Sequence, residues 1–174
     1  VYQPLSRVVH YMGISFGTGL YRGMKFYQVK NRARFRDKWR HVLSGQGSAE
    51  SQAARLSSDR RVIARILVVD DCTPTPDQDS GSIDIFNYLR MLTEFGYRVT
   101  FVPYPKLKHL GHYTVALQNL GVECIYRPYV ESLESLLEQR GADFDVAMLS
   151  RAETAYACID LVRASCVRAR VIFN

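Results

Sequence analysis

The chain has 174 residues, 47% of them hydrophobic and 23% charged, the make-up of an ordinary globular protein, which excludes a wholly disordered or fibrous one. The formal charge of +6 is unevenly spread: residues 1–45 hold nine Lys and Arg against one acid, residues 46–60 balance, and residues 61–174 hold twelve against fourteen. No apolar run approaches the roughly 20 residues that span a bilayer, no charged-then-apolar leader opens the chain, and Cys72, Cys124, Cys158 and Cys166 form no C-x-x-C pair. The expectation is a soluble, cytoplasmic chain whose cysteines are buried free thiols.

Residues 6–10 read as a short β-like run, followed by a glycine-rich loop holding Gly13, Gly17, Gly19 and Gly23. A basic helix is predicted over 24–43, with Phe35, Trp39 and Leu43 on one stripe. This front piece, 1–45, is too poor in core residues to fold alone. Its basic and aromatic composition is that of a solvated helix face. It carries no nucleic-acid-binding motif, so no nucleic-acid partner is expected, but it permits peripheral contact with a membrane. Residues 46–60 hold few large apolar groups, with Ser and Ala common, and read as a linker.

Residues 61–174 alternate β-rich apolar runs with helical patterns, which predicts repeated βαβ units and a parallel sheet. Strands are expected over 62–69, 99–103, 123–127, 146–149 and 169–173. Between the first two, Ile85, Leu89 and Leu92 recur at helical spacing, and Gly96 falls where a helix ends. Further helices are expected over 113–120, closed by Gly121, over 132–139, ending near Gly141, and over 154–166. The fold class is therefore α/β, a Rossmann-like three-layer domain with a parallel sheet, preceded by a helical appendage.

Open α/β sheets bind ligands at the carboxyl ends of their strands, and the first strand ends in Asp70-Asp71 followed by the polar loop 73–82. In that loop Pro74 and Pro76 restrict the backbone, Asp77, Gln78 and Asp79 offer hydrogen-bonding groups, and Ser80, Gly81 and Ser82 open a helix whose free N–H groups favour a polar ligand. The plainer alternative is that Asp79 or Ser80 only caps that helix, but a cap needs only one such residue, and this loop supplies five. At the end of the fourth strand Arg151 is placed to pair with a phosphate or carboxylate, or with Glu153 or Asp145 as a surface ion pair. His109 and His112 lack an acidic or thiolate partner nearby and are a weak metal signal; they read as part of a ligand-facing loop.

Two stretches carry family resemblances. The run 65–82, Arg-Ile-Leu-Val-Val-Asp-Asp-Cys-Thr-Pro-Thr-Pro-Asp-Gln-Asp-Ser-Gly-Ser, resembles the opening of the N-terminal half of GT-B-fold glycosyltransferases of bacterial polysaccharide assembly, and the likeness extends loosely to Asn174. Near the N-terminus, Val9-His10-Tyr-Met12-Gly13-Ile-Ser15, then Tyr27-Gln-Val-Lys-Asn31 and Phe35-Arg-Asp-Lys-Trp39, resembles the C-terminal end of GT-A-fold glycosyltransferases, with Met12 standing where that pattern has Glu. These resemblances imply part of a multidomain enzyme that transfers sugar from a nucleotide sugar donor to a glycan acceptor of the O-antigen or capsule kind, at the inner face of the membrane. They imply that residues 61–174 hold the acceptor side, that the remaining domains of the parent complete the site, and that residues 61–174 need no cofactor. His10 would inherit a role at a divalent metal, Mg²⁺ or Mn²⁺, in the GT-A-like part. A first residue of Val and an apolar run that stops at Asn174 lead to the same expectation of a segment of a longer protein, inactive by itself.

Two other readings compete. Arg65-Ile-Leu-Val-Val-Asp-Asp71 also looks like the first strand of a response-regulator receiver domain, but the third strand ends without an Asp and no Lys follows 171–173. A noncatalytic Rossmann-like interaction module is the second. A nicotinamide enzyme is disfavoured, since no G-x-G-x-x-G follows the first strand.

Overall fold

The computed structural model describes residues 25–44 and 62–174, together with Val9, Gly19, Tyr21 and Gly23. The chain divides into two compact units, one holding Arg61–Asn174 and the other Gln3–Arg60. In the smaller unit the basic segment forms α1 (Lys25–Lys38) and α2 (Arg40–Leu43), interrupted at Trp39, whose φ of −105° and ψ of 17° leave the helical basin. Neither helix buries a residue. Most of the β-like run and of the glycine-rich loop, and the whole 46–60 linker, lie outside the described residues, as does His10.

The larger unit runs β1 (Arg65–Asp70), α3 (Ser80–Glu94), β2 (Arg98–Pro103), α4 (Gly111–Asn119), β3 (Glu123–Cys124), α5 (Leu133–Arg140), a 3₁₀ turn (Gly141–Asp143), β4 (Val146–Leu149), α6 (Ala152–Ser165) and β5 (Arg170–Phe173). All five strands are parallel, in the order β3-β2-β1-β4-β5. This is the order of the first five strands of the doubly wound Rossmann sheet. In a receiver domain the second and third strands flank the first, so the receiver reading of Arg65–Asp71 does not fit this sheet.

Strand alternation builds the three layers. Ile66 and Val68 of β1, with Val99 and Phe101 of β2, pack under Ile85, Leu89 and Leu117 of α3 and α4. Leu67, Val69, Val102, Ala147 and Leu149 face the other way, against Leu133, Leu136 and Leu137 of α5 and Cys158 and Val162 of α6. Strands buried on both faces need apolar residues at nearly every position, which is why β1 reads as an unbroken Ile-Leu-Val-Val run.

Two expected strands are shorter than their apolar runs. β1 begins at Arg65, where pairing with Arg98 begins; Val62–Ala64 lie before the ladder, with Ile63 bonded to the Gly96 turn. β3 keeps only the pairs Thr100↔Glu123 and Phe101↔Cys124, because β2 ends at Pro103, which lacks a backbone donor, and Arg127 instead gives its N–H to Leu107 in the following loop. Gly96 (φ +88°) and Gly121 (φ +91°) terminate α3 and α4 in the left-handed basin. Gly141 is different: its φ of −55° is ordinary, and its lack of a side chain serves close packing, since a Cβ there would sit 2.6 Å from the Ser165 carbonyl oxygen. Of the four cysteines, all free, Cys158 and Cys166 are buried, Cys124 is half-buried and Cys72 is exposed, so the expectation of buried thiols fails at Cys72, which follows the end of β1 in an open loop.

Candidate functional site

In this strand order the chain leaves β1 toward β2 on one side and later crosses to β4 on the other, so a crevice opens between the carboxyl ends of β1 and β4. The ends of these strands are polar. Asp70 closes β1 and Ser150 follows β4; since Val69 pairs with Leu149, the two lie abreast, each 1% exposed. Continuing the alternation, both belong to the face covered by α3. The Ser150 hydroxyl has no hydrogen-bond partner among the described residues.

Arg151 crosses this crevice. Its Nε donates to Asp70 Oδ1 at 3.0 Å and lies 3.0 Å from Asp71 Oδ1. Of the two readings of Arg151, a phosphate or carboxylate across the crevice or a surface pair with Glu153 or Asp145, its carboxylate partners here are Asp70 and Asp71, while Asp145 is engaged by the Arg65 amide and by Arg168. Burial pushes the Asp70 carboxyl above its ordinary range, against the Asp71 amide bond and the Arg151 charge that pull it down. Arg151 also holds a φ of +67° and ψ of 134°, a conformation that a side-chain-bearing residue adopts only under constraint. Its guanidinium reaches the start of α3, where a Cβ on Gly81 would lie 3.8 Å from Nη2.

The predicted loop residues fall into two groups. Asp79 is the N-cap of α3: Oδ1 accepts the Ser82 N–H at 2.8 Å, and Oδ2 accepts the Ser82 hydroxyl at 2.5 Å. These two bonds, the side-chain one first, hold its carboxyl below the usual range. Ser82 is fully buried and its hydroxyl is spent on this cap, so it shapes the site from beneath. Asp77 and Gln78 are instead drawn to α4. The Tyr113 hydroxyl donates to Asp77 at 2.7 Å and accepts from Gln78 Nε2 at 2.9 Å, and Asp77 holds the phenol above its ordinary range. Ser80 and Gly81, with Asp77, Gln78 and Asp79, remain exposed.

The result is a crevice in which Asp70, Asp71 and Asp79 lie near one guanidinium, with a fourth carboxylate, Asp77, on the loop beside α4. A carboxylate, that of Asp79, already caps α3, and no glycine cradle surrounds it, so a diphosphate would meet repulsion there. Sugar hydroxyls, which donate to carboxylates, meet no such penalty. Asp70, Asp71, Ser150 and Tyr113 were not among the residues singled out as binding groups. The acid at the end of one strand and the base at the end of another become partners only once the strand order makes β1 and β4 neighbours.

His109 and His112 do not converge: one packs on Tyr126, the other on Tyr113. Among the described residues no group of three or more His, Cys, Asp or Glu is arranged to hold a metal ion, and no helix is long and apolar enough to cross a membrane. Comparison with protein-family models, with curated proteins and with solved structures finds no significant match to the chain.

Proposed function

We propose that residues 61–174 are the acceptor-side Rossmann-like half of a glycosyltransferase site within a longer protein that moves sugar from a nucleotide sugar to a cell-surface glycan. The observation that carries this reading is the acid-rimmed crevice at the switch point, with Arg151 across it and α3 capped by its own Asp79. Sugar transfer needs an acceptor hydroxyl held in line with the donor carbon and charge stabilisation on the departing diphosphate. Asp77 and Asp79 have lone pairs for acceptor hydroxyls, while Arg151 orders the carboxylates at the crevice. Stabilising the diphosphate falls to the other domains of the parent, and a divalent cation, Mg²⁺ or Mn²⁺, to its GT-A-like part with His10.

The test is saturation-transfer NMR on the 174-residue chain with lactose, maltotriose and UDP-glucose as probes, alongside an assay of UDP release. Oligosaccharide signals are expected to respond, with no response from the uridine protons and no turnover. Transfer or hydrolysis of UDP-glucose by this chain alone would mean the active site has been misplaced. Uridine contact without oligosaccharide contact would assign this half to the donor instead, and silence from every probe favours the noncatalytic module.

A further inference from the structure

Beside the acidic crevice, the same edge of the sheet changes character. The loop after β2 is built on Leu107, which is 1% exposed, holds a left-handed φ of 46°, donates its N–H to the Pro103 carbonyl at 2.7 Å and accepts the Arg127 N–H at 2.9 Å. Burying Leu107 leaves its neighbours Lys106 and Lys108 exposed on either side, and the Arg127 bond stitches this loop to the loop after β3. Arg127 Nε donates to the Glu131 carbonyl at 3.0 Å, which steadies an otherwise exposed guanidinium.

Aromatic rings line the joined loops. His109 stands edge-to-face with Tyr126 at 4.7 Å, and Tyr126 with Tyr129 at 5.5 Å. Tyr129 is 80% exposed, which leaves its ring face open for a ligand to stack on. Residues 104–110 and 125–132 together hold Lys106, Lys108 and Arg127 against the single acid Glu131. One end of this edge is thus acidic and suited to hydroxyl groups, and the other is aromatic and cationic. A neutral glycan would use the charge of only the first; a glycan carrying an anionic group would use both.

We propose that the loops after β2 and β3 form a second subsite, an aromatic and cationic platform for a negatively charged sugar residue. The proposal rests on the acceptor-side reading above and extends it to the charge of the ligand. The sugar ring stacks its C–H face on Tyr129, and its carboxylate or phosphate pairs with Lys106, Lys108 or Arg127.

The experiment is an amide NMR titration of the ¹⁵N-labelled 174-residue chain with tri-galacturonate, its methyl ester, glucose 1-phosphate, lactose and inorganic phosphate. Tri-galacturonate, glucose 1-phosphate or both are expected to move the amides of 106–109 and 126–129. Response to one of them alone identifies a carboxylate-bearing or a phosphate-linked sugar. The methyl ester, and the exposed-site variants Lys108→Glu and Arg127→Glu with unchanged circular dichroism, should each weaken binding about tenfold. The subsite is overturned if the ester binds as tightly as the acid, if inorganic phosphate moves the same amides equally well, or if every shift from every sugar stays within 73–82. That last outcome leaves the acceptor-side reading intact. No shift from any sugar, lactose included, sinks that reading and the subsite with it.

Discussion

The Nε of Arg151 donates to Oδ1 of Asp70 at 3.0 Å, joining a carboxylate that is 1% exposed to a guanidinium whose own backbone sits at a φ of +67°. Neither partner is where stability alone would put it. Asp70 is buried with its pKa raised, and Arg151 occupies a conformation that side chains avoid. Costs gathered at one point of a fold mark a site held for its geometry, and this one sits at the switch point of the sheet.

Replacing Arg151 separates the two costs. Arg151→Ala removes the cation over Asp70 and keeps a Cβ in the unfavourable conformation; Arg151→Gly also removes the cation but relieves the backbone. Both variants should unfold at lower denaturant than the parent, with Gly more stable than Ala by about 1 kcal/mol. Urea midpoints for the pair measure this, and Ala equal to or above Gly would remove the case for strain.

Asp70→Asn tests the buried charge. Because burial raises the folded pKa of Asp70 above the ordinary value of 3.8, its protonated form favours folding. That contribution is fully present below the unfolded pKa and is lost as pH rises through the folded one. At pH 7 the Asn variant should therefore melt no lower than the parent, while the two converge below the unfolded pKa. Thermal melts across that range decide it: a variant that is less stable at pH 7 and equal at low pH would mean that the Arg151 pairing outweighs burial.

The alternation of apolar runs and helices in 61–174 was legible because the central strands β1, β2 and β4 are covered on both faces and helices α3 to α6 bury one face each, so local pattern and tertiary packing agree. The cap was legible to within a residue, as Asp79 or Ser80, since an N-cap acts on residues two or three positions on, and the structure gives it to Asp79. What the residues did not disclose lies across the chain. Arg151 and Asp70 are partners because β4 returns beside β1, and Tyr113 meets Asp77 because α4 lies beside the start of α3. The short β3 was hidden for a similar reason: its length is set by Pro103 on its neighbour, not by its own apolar run. Gly141 looked like a helix stop, but its role is to admit the backbone of Ser165.

Glu123 should prove a strong structural acid. Arg140 grips both its oxygens, at 2.8 and 2.7 Å, and the Thr100 hydroxyl donates to Oε2 at 2.8 Å. Burial raises its pKa, but the Arg140 and Thr100 interactions outweigh this and leave it below the ordinary value of 4.5. A depressed folded pKa contributes stability above the unfolded value and loses it as pH falls through the folded one. Glu123→Gln should cost about 2–3 kcal/mol at pH 7, since the largely buried Arg140 loses the carboxylate that binds both of its terminal nitrogens. The gap should shrink on acidification below the ordinary carboxylate pKa; a gap independent of pH would assign the loss to packing.

Gly141→Ala should destabilise more than Gly121→Ala. At Gly141 the new methyl would sit 2.6 Å from the oxygen and 2.9 Å from the carbon of the Ser165 carbonyl, and backbone at the end of α6 yields only by shifting the helix. The expected cost is about 2 kcal/mol or more. At Gly121 the space is open and only the φ of +91° resists, a cost of about 1 kcal/mol. Equal urea midpoints would show that α6 slides freely on the 3₁₀ turn.

Tyr113→Phe addresses the loop itself. The phenol takes Gln78 as donor and Asp77 as acceptor, and these are the bonds that fasten the middle of the loop to α4, because the Asp79 carboxylate bonds to Ser82 and to Thr75 of the loop itself. Without the hydroxyl, α4 keeps its packing through Leu117 and Thr114, which are buried, so the circular dichroism should not change. Amides 77 and 78 should exchange faster with solvent, and oligosaccharide affinity should fall while UDP-glucose remains unbound. Unchanged exchange in this loop would mean that Pro74 and Pro76 alone hold its shape. Faster exchange with undiminished oligosaccharide affinity would take Asp77 and Gln78 out of the binding surface and leave that role to Asp79 and the Arg151 crevice.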